Sequence, residues 1–206
     1  MLPGQLRNDR WTMLTQAYSD QTVITAIPCI CTFGTRIGYK GHRDTITIYP
    51  NQSTVMTDSE LVAADILLEV SKNRLQVYNH SQSLPSHYTA SPLGLTDKAH
   101  GSNRRIHHLS YPVGDMTSIN AGIPERYGTI QYSGIRDAIQ AVQRYSKDRV
   151  LIKRDFESAS HHIPLSPSDS PLLAFHWDNQ FASPRFLPFG LRTAPYLFGI
   201  FAEVFH

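Results

Sequence analysis

The stretch "LPFGLRTAPYLFGIFAEVFH", Leu187 to His206, constrains this chain most. Proline fixes its own φ and glycine accepts backbone conformations closed to other residues. Pro188-Phe189-Gly190 therefore predicts a rigid turn, with Gly190 permitting close backbone approach. Beyond it Ala194, Leu197, Phe198, Phe201, Ala202 and Phe205 fall in helical register. A helix this apolar has to bury a face, and a sheet is the expected partner. Standing alone, the motif also suits an ordinary strand-to-helix connection.

The elements before it mix helices with hairpins. "PLLAFHWDNQFASPRF" predicts a hairpin turning at Asp178-Asn179, with Pro184 confining its second arm to an edge or ending it. "RVLIKRDF" reads as a strand, apolar until its charged end. "YSGIRDAIQAVQRYSKD" reads as a helix capped by Ser133, with Ile135, Ala138, Ile139, Val142 and Tyr145 on one face. "SPLGLTDKAHGSNRRIHHLSYP" predicts a strand, a turn near 101–103 and a returning strand, and residues 79–92 form a loop or linker. "TDSELVAADILLEVSKNRL" predicts a helix near 58–73. Thr57 and Glu60 have capping-box spacing, and Leu61, Ala64, Ile66, Leu68 and Val70 give a broad apolar surface. "DTITIYP" alternates like a short strand, and "TVITAIPCICTFGT" reads as β-rich. With no internal repeat and no repeating βαβ unit, the fold class is α+β.

At 206 residues, 41% hydrophobic and 17% charged, the chain suits one large domain or two small ones with a real core. No run approaches the roughly 18 apolar residues of a membrane span, and "MLPGQLRNDRW" lacks a signal peptide's apolar stretch. The expectation is an intracellular protein, of cytoplasm or nucleus, without a membrane partner. Cys29 and Cys31 read as structural. His107-His108 and His161-His162 are adjacent pairs, whose rings point apart on a strand and cannot easily share one ion. From Lys98 onward basic residues outnumber acidic ones by twelve to nine, and arginine outnumbers lysine overall by fourteen to five. Arginine's planar fork suits phosphate, although a solvated mixed surface has the same counts.

Asp155, where "RVLIKRDF" runs out, is open to three readings: a turn-former, a cap for a following helix at 157–162, or a metal ligand at a cleft rim. Lys98 and Arg104 flank a hairpin tip and suit either phosphate clamps or a solvated tip. Phosphoryl transfer from a nucleotide needs hard cations held by at least two carboxylates, basic side chains on the triphosphate, and a small residue beside the sugar.

Taken in order, "SPLGL", the lysine, "RRIHHLSYP", "SIN", "GI", "IKRDFESA", "LLAFHW" and "LPFGLRTAPYLFGIF" resemble the reverse transcriptase domain of gypsy-like and DIRS-like retrotransposons. The resemblance covers about residues 91–206, with 1–90 as a lead-in region. It implies the fingers and partial palm of a right-hand, RNA-directed DNA polymerase. Such an enzyme performs magnesium-dependent nucleotidyl transfer, with an RNA/DNA primer-template and a dNTP as partners. It implies Asp155 as the first catalytic aspartate and Mg²⁺ ligand, and Lys98 and Arg104 on the incoming triphosphate. Phe156 would stand beside the metal, Ala159 under the sugar, and Phe189 and Gly190 along the nucleotide. Pro188 and Arg192 would serve the template and primer, with Leu191 opening the supporting helix.

Two departures qualify this. Ser160 stands where the family has an aromatic gate against the ribose 2′-hydroxyl, which should weaken sugar discrimination. No Asp-Asp pair occurs, so the second metal motif, an aromatic-x-Asp-Asp hairpin, is missing. The expectation is a truncated chain with an incomplete palm sheet, inactive alone. Phe198, Phe201 and Phe205 would lie exposed and promote self-association. The alternatives are a residual nucleic-acid-binding module, gripping phosphates through Arg104, Arg105, Lys153 and Arg154, or a non-functional translated relic.

Overall fold

The computed structural model describes residues 6–78, 84–97, 103–130, 134–145, 150 and 155–205. Two helices open the chain, α1 (Asn8–Thr15) and α2 (Gln21–Phe33). The second corrects the β-rich reading of "TVITAIPCICTFGT". Asp20 caps it, its carboxylate accepting the Thr22 N–H at 2.7 Å. Gly34 ends it at φ 75°, its N–H bonded to the Ile30 carbonyl. Between these ends Val23, Ile27, Ile30 and Cys31 are buried on one face. Pro28 inside a helix costs about 3 kcal/mol. Each fully buried aliphatic side chain returns roughly 1.5–3 kcal/mol, so the face outweighs the proline.

Gly34 is needed twice. Its φ is open mainly to glycine, and a Cβ there would collide with the backbone of Leu165, which the chain meets as Thr35 bridges to Leu165.

Next come β1 (Ile46–Ile48), α3 (Ser59–Ser71), β2 (Leu75–Tyr78), β3 (Tyr88–Ala90) and the hairpin β4 (Leu93–Asp97) and β5 (Asn103–His107). The predicted tip at 101–103 lies largely outside the described residues. β3 forms inside the stretch expected as a linker because it pairs in parallel with β1, Thr47 opposite Thr89. The α3 cap is Asp58, one residue beyond the expected Thr57, accepting the Leu61 N–H at 3.2 Å. Its inner face also differs. Val62 is buried and Ile66 packs beside it, while Ala64, Leu68 and Val70 are exposed. Two charged groups of α3 are turned onto neighbouring elements instead, Asp65 to Arg105 and Glu69 to Arg74.

The chain continues through α4 (Ile135–Arg144), β6 (Phe175–Trp177), β7 (Gln180–Pro184) and α5 (Ala194–Ala202). The strand expected at 149–156 falls mostly outside the described residues, as does Ser133. Gly134 takes the cap position of α4, its N–H bonded to the Asp137 carboxylate. The β6–β7 hairpin turns at Asp178-Asn179 as expected. Both residues have positive φ, 47° and 57°, the geometry that matches strand twist in two-residue hairpins. β7 is the central strand of the sheet β2-β7-β6, so of the two readings Pro184 ends the arm and does not mark an edge. Pro184 is tolerated because it is the last residue of the strand, opposite Leu75.

α5 carries the largest correction. Phe201 is buried, with its ring edge-on to Trp11 at 5.1 Å, and Ala194 and Leu197 are buried with it. Helices α1 and α2 supply the cover that a larger sheet was expected to give, and Phe198 is partly buried against the same core. The side chain of Phe205 lies outside the described residues. This core joins α2 and α5 to Leu172, Leu173 and Leu187; a smaller one lies between α3 and the sheets, around Phe175 and Leu93. No described helix is long and apolar enough to cross a membrane.

Candidate nucleotide and strand site

The turn after β7 is held from three sides. Gly190 has φ 85°, and a Cβ there would stand 3.2 Å from the His107 carbonyl, so the expected close approach is to β5. Asn120 clamps the turn with both ends of its amide. Its Nδ2 donates to the Gly190 carbonyl at 2.8 Å, and its Oδ1 accepts the Arg192 N–H at 2.8 Å. Arg192 reaches back to donate to the Ile123 carbonyl at 2.9 Å. The "SIN" motif thus acts as a fastening for "LPFGLR", a role its sequence does not announce.

This fastening makes a cavity of about 220 Å³ between β5, the start of β2, and the turn. Arg104, Arg105, His107, His161, Pro188, Phe189 and Gly190 line it, with Glu69 and Arg74. Arg104, Pro188, Phe189 and Gly190, all predicted to serve nucleotide or template, are therefore brought together.

The charges around the cavity are unevenly paired. Arg105 donates from Nε to Asp65 at 2.6 Å and lies over the Phe175 ring at 5.2 Å. Arg74 pairs with Glu69 at 3.1 Å and also points a terminal nitrogen at His161 Nδ1, 3.4 Å away. Burial is the chief cause holding His161 below the usual imidazole range; the neutral ring accepts from Arg74 and packs on Phe189 at 4.7 Å. Burial, and then the charge of Arg105, push His107 down to about 3. As a neutral ring it donates from Nε2 to the Ala174 carbonyl at 3.2 Å. Arg104, exposed on β5 opposite Thr96, pairs with no carboxylate among the described residues. It is the cation left for an outside anion.

The remaining predicted residues are arranged differently. Lys98 lies outside the described residues, as do Lys153 and Arg154. Asp155 is exposed and accepts no hydrogen bond from a described residue, so it does not cap the short helical turn Ala159–His162. Phe156 is half exposed, its ring edge-on to Phe198 of α5 at 5.7 Å. Ala159 and Ser160 sit on that turn, where Ser160 faces inward with its hydroxyl unpartnered and His161 turns to the cavity. His162 points elsewhere, to the Glu157 carbonyl at 3.0 Å, so this pair diverges on a helical turn and not on the strand that the expectation assumed. Cys31 is buried in the larger core, which pushes its thiol up to about 11. His161 and the Glu69–Arg74 pair are cavity residues that motif reading missed, while Arg105, expected to grip phosphates in the alternative reading, is held by Asp65.

A two-ion magnesium centre needs converging carboxylates. Among the described residues no group of three or more metal-ligating side chains gathers, and Asp155 stands exposed. The described donor set does not fit such a centre.

No protein-family model matches the chain, and no curated protein does. Among solved structures it is similar to the prototype foamy virus protease-reverse transcriptase. The native form shares 16% identity at TM-score 0.45, over 82% of this chain and 20% of that one. The foamy viral enzyme in complex with RNA/DNA hybrid gives 13% identity and TM-score 0.47, over 99% and 27%. Its complex with dsDNA gives 12% and 0.45, over 96% and 41%. The chain thus spans 20–41% of the length of these three structures.

Proposed function

We propose that this chain forms the nucleotide- and strand-gripping part of a polymerase of the reverse transcriptase kind, from a gypsy-like or DIRS-like retroelement. One observation carries the reading: Arg104 and the Pro188–Gly190 turn, distant in sequence, wall one cavity. In this reading β4–β5 belongs to the fingers, and β2-β7-β6 to part of the palm. Arg104, with Lys98, meets the triphosphate. Phe189 offers its ring to the base, Gly190 leaves room beside it, and Pro188 and Arg192 guide the template. Magnesium, where such enzymes hold it, stabilises the attacking and leaving oxygens. The described residues of this chain contribute grip rather than that chemistry.

Fluorescence anisotropy with a labelled RNA/DNA primer-template tests the reading. Binding should fall steeply with salt, and Arg104→Ala should weaken the capture of an added dNTP by that complex. Absent or salt-insensitive binding would sink the proposal. Magnesium-dependent primer extension by the 206-residue chain is expected to be undetectable. DNA synthesis that disappears on Asp155→Asn would instead show a complete catalytic centre.

A further inference from the structure

A second cavity, of about 420 Å³, opens where the loop after α2 meets the start of α5. Arg36, Tyr39, Lys40, Arg43, Tyr127 and Tyr196 contribute to its wall, and none of them lines the Arg104 cavity. Basic and aromatic side chains therefore interleave around one opening.

The basic groups are positioned from below by Asp169, which is fully buried. Its carboxylate accepts the Ile37 N–H at 2.7 Å, Arg43 Nη1 at 2.6 Å and Arg36 Nε at 3.1 Å. Arg36 gives Asp169 only its Nε. Its two terminal nitrogens donate to no described residue, and its side chain is 62% exposed. The ion pair thus fixes the guanidinium while leaving outward the end that binds a phosphate. Lys40 is exposed and pairs with no described carboxylate. Three cations stand at this opening and one buried carboxylate pairs two of them, so the described residues leave an excess of positive charge.

The aromatic groups differ in availability. Tyr39 lies under the Arg43 guanidinium, 5.7 Å from its ring centroid. Tyr127 is backed by Gly38, where a Cβ would press to 3.2 Å of the ring. Tyr196 is 39% exposed and tilts at 57° to Tyr127, with centroids 6.1 Å apart. It is the ring free to take a flat partner.

We propose that this cavity binds a single-stranded nucleic acid, with the Arg36 fork and Lys40 on its phosphates and Tyr196 stacked on a base. A single strand presents both chemistries at once. A duplex keeps its bases stacked, and a free phosphate leaves the rings unused. The site shares no residue with the Arg104 cavity and stands independently of it.

The test is photo-crosslinking of the whole chain to a single-stranded oligonucleotide carrying 5-iodouridine, with peptide mapping and anisotropy for affinity. Crosslinks should map to Tyr196 or its neighbouring tyrosines. Lys40→Ala and Tyr196→Ala, both at exposed positions, should each weaken binding about tenfold with the circular dichroism spectrum unchanged. Lys40→Ala should also lower the salt slope by about 0.7. Crosslinks confined to Phe189, with both variants binding like wild type, would overturn this site while leaving the Arg104 cavity standing. Crosslinks confined to Tyr196 would support it and leave the Arg104 cavity to its own test. An acidic peptide that displaces the oligonucleotide at equal concentration would also overturn it.

Discussion

Asp155 and Asp169 stand on neighbouring stretches of the chain and meet opposite environments. Asp155 has the motif, at the end of a strand-like run with basic residues beside it, yet in the fold it is exposed and accepts no hydrogen bond from a described residue. Asp169 belongs to no motif, yet it is fully buried and gathers two guanidinium groups and a backbone N–H. A carboxylate's importance to the fold thus depends on how many donors converge on it from other elements. Asp169 draws Arg36, Ile37 and Arg43 from far along the sequence, whereas no described residue donates to Asp155.

The contrast can be broken first at Asp169. Asp169→Ala leaves a buried amide, the part-buried Arg43 and the largely exposed Arg36 without their anion. A loss of about 3 kcal/mol in urea unfolding is expected, the low end for a buried pair because water reaches Arg36. A loss below about 1 kcal/mol would show that the cluster is solvated. Phe201→Ala removes the ring that joins α5 to α1 and should cost about 3 kcal/mol. A negligible cost would restore the exposed-helix expectation.

Acid comes next. His107 has its pKa depressed in the fold, so the unfolded chain binds the proton more readily. Stability is whole above the ordinary imidazole value near 6.5 and is lost as pH falls from there towards about 3. Part of the ring's surface still meets the cavity, so the loss is smaller than a sealed imidazole would give. The unfolding midpoint of wild type and His107→Gln between pH 7 and 4 checks this, the variant showing the flatter profile. At the small end, Asp155→Asn should move stability by no more than about 0.5 kcal/mol. A larger loss would mean that Asp155 has partners its exposure conceals.

Two apolar helices repeat the lesson. α4 carries the apolar face read from its sequence, but Ile135, Ile139 and Val142 are exposed at 81%, 50% and 50%. The register was legible, and the partner was not. α5 shows a similar periodicity and is covered, because α1 and α2 reach it from the other end of the chain. α2 itself was misread because β-branched and apolar residues crowd "TVITAIPCIC". Asp20 and Gly34 at its ends, with Val23, Ile27, Ile30 and Cys31 at helical spacing between them, were the signals that counted.

The sequence by itself determined what short-range chemistry governs. The Asp178-Asn179 hairpin, the α3 helix, the β4–β5 pairing and the Gly190 turn each follow from φ limits, caps and alternation within a few residues. Only the tertiary structure decided that β7 is central, that His161 and the Glu69–Arg74 pair wall the Arg104 cavity, and that Asn120 fastens the turn. These depend on groups meeting across long stretches of chain. Local preferences fix an element's form, while burial and hydrogen-bond pairing between elements fix which of its residues can act.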